Sequence, residues 1–121
     1  MQGPRRKGLD GMGQQWSGFE IATEARDTAV VVTAAGEVDM VTAVRLREAL
    51  DAAQRTSGIP TVLDLSRIDF FDSSGLEVLV DLHHRARLRV VASAAVRRPL
   101  GVTGLDRVLD VYDDLAAALA G

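Results

Sequence analysis

Asp72, Ser73 and Ser74 set a carboxylate beside two adjacent hydroxyls. They lie within Ile68-Asp69-Phe70-Phe71-Asp72-Ser73-Ser74-Gly75-Leu76-Glu77, a stretch that leaves a buried strand and enters a helix. Ser and Asp are favoured N-caps because a side-chain oxygen can accept from the orphan N–H groups of the first helical turn. Ser74-Gly75-Leu76-Glu77 fits a capping box, with Ser74 as N-cap and Glu77 reaching back from the third helical position. That arrangement leaves Ser73 one residue outside the helix with its hydroxyl free. A free hydroxyl at the positive end of a helix suits a phosphate; a plain capping serine is the competing reading. Asp72 either orients that hydroxyl or serves as an alternative cap. Gly75 keeps a crowded helix start clear and would also admit a partner at close range.

Other candidate chemistry is weaker. His83 and His84 invite a hydrolase with Ser73, but ten residues along one helix is roughly 15 Å. A general base must lie within about 3 Å. The Gly-x-Ser-x-Gly nucleophile elbow is also missing. Adjacent histidines point to different helix faces, so they are a poor metal pair and are expected at the surface. Arg97 and Arg98 read as a solvated helix face, with an acidic partner as the alternative. The chain has no cysteine, which excludes disulfides and thiolate metal sites. No metal, cofactor or catalytic residue is expected, and the chain reads as a non-enzyme.

The elements that position these residues are set by periodicity. Phe19 to Glu24 alternates as a half-buried strand, Arg26-Asp27-Thr28 turns, and Ala29 to Ala34 is a second, β-branched strand paired with it as a hairpin. Gly36 breaks that strand, and Asp39 or Thr42 caps the next helix. Over residues 41–57, Ala43, Leu46, Leu50 and Ala53 share one helix face, while Arg45, Glu48, Asp51 and Gln54 look outward. Ser57-Gly58 stops this helix. Val62 to Leu65 is a central strand buried on both faces. A helix from about Ser74 to Arg85 and a strand from Leu88 to Ala92 complete a βαβ unit. A short basic helix over 95–103 ends at Gly104. Val108 to Tyr112 forms a last strand, and Asp113 caps a small helix over 114–120. The fold class is α/β, a small mixed sheet of four to five strands with helices packed on it.

At 121 residues there is room for one domain. The net charge is −3. Arg5, Arg6 and Lys7 against Asp10 leave +2 on residues 1–18, so the remainder carries −5. An acidic body argues against nucleic acid as partner. No apolar run is long enough for a membrane span, and no apolar segment comes after the basic head as a secretory signal requires. The expectation is a cytoplasmic protein with no membrane partner, as monomer or weak dimer. Residues 1–17, rich in Gly, Gln and Arg, read as a disordered tail, and 18–121 as the domain. Met12 offers an alternative start.

Three segments together resemble the bacterial anti-sigma-factor antagonists, which are single STAS domains. Asp72-Ser73-Ser74-Gly75-Leu76, after Val62-Leu63-Asp64-Leu65-Ser66, is similar to the family signature. Gly36-Glu37-Val38-Asp39 resembles the turn between the second strand and the first helix. Val96-Arg97-Arg98-Pro99-Leu100 through Gly104-Leu105-Asp106 resembles the tail segment. They lie in order across residues 19–119. One departure stands out: the family usually has a glycine pair between the long helix and the next strand. Here His84-Arg85-Ala86-Arg87 runs straight into Leu88, about four residues or one helical turn shorter.

The resemblance implies a STAS fold and a partner switch in bacterial transcription and stress response. An unphosphorylated antagonist binds an anti-sigma factor, a serine kinase of the GHKL class, and so frees a sigma factor. The first serine of the motif, Ser73 here, is then phosphorylated, and a serine phosphatase resets the switch. Gly36, Glu37, Asp39, Asp72, Ser73, Ser74 and Gly75 become the expected partner-binding residues. At Asp39 a simple helix cap is the rival. The alternatives are a STAS subunit of a stressosome-like signalling scaffold or of a lipid-transport complex.

Nothing in residues 1–15 can contribute to a core, so deleting them should leave the melting temperature nearly unchanged. A drop of many degrees would move the domain boundary forward.

Overall fold

The computed structural model describes residues 18–121; the tail expected over residues 1–17 lies outside them. Five strands form one sheet whose spatial order matches the chain order. They are β1 (Phe19–Ala25), β2 (Val30–Val38), β3 (Thr61–Phe71), β4 (Leu88–Ala92) and β5 (Asp110–Tyr112). β1 and β2 are an antiparallel hairpin, and the remaining neighbours are parallel. Each parallel pair needs a crossover. These are α1 (Thr42–Ser57), α2 (Ser73–Arg85), and α3 (Ala94–Thr103) with a 3-10 turn at Leu105–Arg107. A last short helix, α4 (Leu115–Ala120), comes after β5.

The strand pleat divides the apolar residues between two clusters. Val30, Val32, Leu63, Leu65 and Val90 pack with Leu46 and Leu50 of α1, Leu79 and Leu82 of α2, and Val96 and Leu100 of α3. Val31, Val62 and Val91 face the other way onto Ala118 of α4. The predicted α1 stripe Ala43, Leu46, Leu50, Ala53 is the buried face. β4 has the predicted bounds, and Gly58 and Gly104 end α1 and α3 in the left-handed conformation.

Three strand readings change, β5 only in that it starts at Asp110 and not at Val108. β3 does not stop at Leu65 but continues six residues to Phe71. Its pairing with β2 slips between Thr33 and Ala35 and again between Gly36 and Glu37, so β3 holds an extra residue at each bulge. These bulges scramble the period-two pattern that would have revealed the extension. At the first, Asp64 Oδ1 accepts from the Ser66 N–H at 3.0 Å. β2 likewise runs through Gly36 to Val38. Gly36 does not break the strand; it admits the hairpin partner, with φ at 106° and the Gly18 carbonyl in the space a Cβ would need. Asp114, not Asp113, caps α4, accepting from the Ala117 N–H at 2.8 Å.

An added Cβ at Gly36 would overlap the Gly18 carbonyl oxygen, whereas at Gly58 nothing comes within 4 Å. Gly36→Ala should therefore cost about 2–4 kcal/mol from strain and overpacking. Gly58→Ala should cost about 1 kcal/mol for its left-handed backbone alone. Urea midpoints at unchanged slope give the ranking; equal losses would mean that the β1 entry gives way freely.

Candidate functional site

The site is two turns at the C-terminal edge of the parallel strands. The first comes directly after β2. Asp39 Oδ1 accepts from the Val41 N–H at 2.9 Å and the Thr42 N–H at 3.0 Å. Thr42 Oγ1 accepts from the Asp39 N–H at 2.9 Å and donates to the Glu37 carbonyl at 2.8 Å. This is a reciprocal cap, with Thr42 in the place usually held by Glu. It opens one turn ahead of the helix proper, whose own N-cap position, Val41, supplies no side-chain bond. Both candidate caps of this turn, Asp39 and Thr42, are used together.

The second turn comes directly after β3. Asp72, not Ser74, is the N-cap of α2, its Oδ1 accepting from the Ser74 N–H at 2.9 Å. The Asp72 carbonyl accepts from Gly75 and Leu76. The expected Ser74–Glu77 capping box does not form, because Asp72, two residues earlier, takes the Ser74 N–H that Glu77 would have bonded. Ser73 is therefore the first helical residue. Its side chain is exposed and its hydroxyl makes no hydrogen bond among the described residues, while Ser74 is half-buried. The hydroxyl predicted to be free is free, for a different reason: a first-turn side chain projects outward when its neighbour does the capping. Gly75 is buried, and a Cβ there would lie 2.6 Å from the Phe71 ring. The missing side chain keeps the crowded helix start clear, as expected of Gly75.

The two turns touch. Val38 pairs with Phe71 in the β2–β3 ladder, and the Asp72 N–H donates to the Val38 carbonyl at 3.2 Å. Gly36, Glu37, Asp39, Asp72, Ser73, Ser74 and Gly75 are thus brought to one edge. Asp72 and Glu77 flank Ser73 along the chain, Glu37 and Asp39 lie on the adjoining turn, and among the described residues none of the four is ion-paired. From Ser73 a groove of about 310 Å³ runs along α2 past Leu76, Glu77, Val80 and Asp81, with Leu105 as its other wall. Beside the first turn, Met40, Val41 and Val44 are 76%, 72% and 55% exposed. Sequence reasoning does not single them out; the available signal is that they are apolar yet fall off the Ala43–Leu46–Leu50 stripe.

At the opposite end of α2 the missing glycine pair is replaced by side chains. Gln54, expected to point outward, donates to the carbonyls of Leu82 and Ala86 at 3.0 and 3.1 Å. His83, expected at the surface, is half-buried and accepts from the Leu88 N–H at Nδ1. Arg87 clasps Asp110 through both its oxygens.

Two carboxyls titrate below the ordinary aspartate range. At Asp39 the cause is chiefly the Thr42 backbone N–H, working against partial loss of hydration, with the Val41 N–H adding to it. At Asp110 it is the Arg87 guanidinium bonded to it. A group whose folded pKa is depressed binds fewer protons when folded. Its contribution is complete above its unfolded pKa, about 3.9, and fades as pH falls through the folded value. The melting temperature should therefore hold between about pH 5 and 8 on account of these two groups and decline below about pH 4. Asp39→Asn should shrink the decline; an identical acid limb in that variant would show that Asp39 is not part of it.

Comparison with known proteins gives the family. The STAS domain family matches residues 20–118. The anti-sigma-F factor antagonist RsfB of Mycobacterium tuberculosis is 33% identical over 96 residues, 75% of this chain and 79% of that protein. The anti-sigma-B factor antagonist of Listeria monocytogenes is 33% identical over 100 residues, 77% of this chain and 88% of that one. The crystal structure of an anti-sigma factor antagonist from Mycobacterium paratuberculosis superposes with a TM-score of 0.80 at 36% identity, covering 84% and 92% of the two chains. The antagonist SpoIIAA in its unphosphorylated form, at 21% identity and TM-score 0.64 over 81% and 92%, shares the fold. With the family match spanning the described domain and relatives a third identical over most of their length, the chain belongs to the STAS domain family, alongside the anti-sigma factor antagonists it resembles.

Proposed function

We propose that this protein is an anti-sigma factor antagonist switched by phosphorylation of Ser73. Unphosphorylated, it binds an anti-sigma factor that is also a serine kinase, and a sigma factor is released. The observation that carries the reading is the exposed, unbonded Ser73 hydroxyl at the first position of α2, set against the Asp39 turn. The names of the relatives support the antagonist class.

The chain contributes a nucleophile and nothing else to the chemistry. Ser73 Oγ forms a bond to the γ-phosphorus of ATP, the bond to the ADP oxygen breaks, and the hydroxyl proton passes to a base on the kinase. Magnesium and positioning groups are likewise the kinase's. A separate serine phosphatase restores the hydroxyl.

Magnitudes decide how the phosphate acts. It adds about −1.5 to −2 charges. At a helix N-terminus this is favourable by roughly 0.3–1 kcal/mol, and the neighbouring Asp72 and Glu77 oppose it. The effect within the domain is small. In a kinase complex the same dianion faces nucleotide phosphates in a site poor in water, and uncompensated buried charge costs several kcal/mol. A tenfold loss of affinity needs only about 1.4 kcal/mol. Release at the interface wins over unfolding of the domain.

With the source organism's purified anti-sigma factor, ATP and magnesium, one phosphate should appear, and peptide mapping should put it on Ser73. Ser73→Ala should abolish labelling and retain binding. Ser73→Asp should melt within a few degrees of wild type yet bind at least about tenfold more weakly. Phosphate on Ser74, or a Ser73→Asp protein that unfolds, would overturn this reading. A large homomeric assembly with no kinase bound would point to a scaffold subunit instead.

A further inference from the structure

We propose that Met40, Val41 and Val44 form the apolar anchor gripped by the anti-sigma factor, and that Asp39 is a positioning residue holding that anchor in shape. The inference rests on the functional reading above and deepens it, since it names what the partner must offer: an apolar pocket with a basic rim.

Six large hydrophobic residues are exposed among the described residues, and three of them fall within the five positions 40–44. The domain itself covers only a minor part of each of these three. The core-facing stripe of α1 is Ala43, Leu46, Leu50 and Ala53, all buried, and the three residues in question lie off it. Apolar side chains this open are an unused source of binding free energy, at about 25 cal/mol for each Å² that a partner covers.

The anchor is also built to be rigid. Asp39 Oδ1 holds the N–H groups of Val41 and Thr42, and Thr42 Oγ1 holds the Asp39 N–H and the Glu37 carbonyl. The Ala43 N–H closes on the Asp39 carbonyl at 2.8 Å. A backbone fixed before binding has less entropy to lose on binding. The anchor is continuous with the Ser73 turn through the bond from the Asp72 N–H to the Val38 carbonyl. A partner that reaches Ser73 therefore lies over the anchor as well.

Charge says what surrounds the pocket. Glu37 precedes Met40 by three residues, and Glu48 stands one turn beyond Val44 on the same helix flank. Both are exposed, and neither is ion-paired among the described residues. Lys or Arg around the partner's pocket would complement them.

Asp39 could act in two ways, and the bonding separates them. Only Oδ1 is engaged in the cap, so a direct contact with the partner would have to use the other oxygen. Asp39→Asn keeps the capping acceptor and puts an amide nitrogen where that oxygen was. Asp39→Ala removes both.

The experiment is titration of the full chain with the anti-sigma factor, in parallel with melting curves. Met40→Gln and Val41→Gln should each weaken binding at least about fivefold at unchanged melting temperature. Should either variant melt early, Val44→Gln carries the same test. Asp39→Asn should bind within about twofold of wild type, and Asp39→Ala should fall with the anchor variants. Raising the salt concentration should weaken the wild-type complex. Gln variants that bind like wild type, while Ser73→Asp binds weakly, overturn the anchor and leave the functional reading standing. Asp39→Asn as weak as Asp39→Ala overturns the positioning role in favour of a direct charge contact. Salt-independent binding overturns the basic rim. A wild-type mass that rises with concentration, and stops rising in Val41→Gln, assigns the patch to a second copy of the chain. No wild-type binding at all overturns the functional reading and the anchor with it.

Discussion

The upper end of the β2–β3 ladder, where Val38 pairs with Phe71 and the Asp72 N–H reaches the Val38 carbonyl, is the contact on which the site depends. Both strands are parallel there, so both leave the sheet at the same edge and both lead at once into a helix N-terminus. A parallel sheet places its crossover starts together in this way as a matter of geometry. What the sequence adds is an aspartate after each strand. Asp39 caps toward α1 and Asp72 toward α2, so each turn is closed by its own side chain and none needs a ligand to be ordered. The residues left over by that capping, a serine hydroxyl on one turn and apolar side chains on the other, are the ones turned outward.

Phe71 joins this edge to the core. It is the last residue of β3, buried, and its ring lies against Gly75 in the first turn of α2. The absence of a side chain at Gly75 lets the helix start sit directly on the strand end. Below, Leu79 and Leu82 carry the same helix down the sheet, and at its far end, where no glycine cap is present to turn backbone N–H groups onto them, the Leu82 and Ala86 carbonyls accept from Gln54 of α1. Arg47 with Asp81, and Arg85 with Asp51, span the same pair of helices at the surface. Exposed pairs of this kind add little each, so the apolar contacts and the Gln54 bonds set the angle between α1 and α2.

Local rules reach part of this. The α1 face and the bounds of β4 are legible because their patterns are regular and uninterrupted. The meeting of the Asp39 and Ser73 turns is legible from the strand–helix–strand order. What escapes depends on contacts distant in sequence. Three oxygens in a row, on Asp72, Ser73 and Ser74, can each cap a helix, and which one wins is set by where the strand ends. That end is hidden by two bulges in β3. Gln54 and His83 look like surface residues because nothing near them in sequence needs a partner; their targets, Ala86 and Leu88, come close only once α2 has turned back into β4.

Among the described residues β1 is the outer strand of the sheet, with β2 paired along one of its sides over seven residues. The second side of an outer strand is the usual template for unwanted pairing between chains. At the opposite margin β5 is only three residues long, too short to recruit a neighbour well. β1 has no such protection by length. Its outward alternation instead carries Glu20 and Glu24, both exposed. A second copy approaching edge to edge in antiparallel register would bring carboxylates against carboxylates, and like charges placed opposite one another oppose pairing. Opposition to edge-to-edge pairing is in that sense carried by two side chains of the outer strand, Glu20 and the Glu24 that Arg26 holds at 2.9 Å.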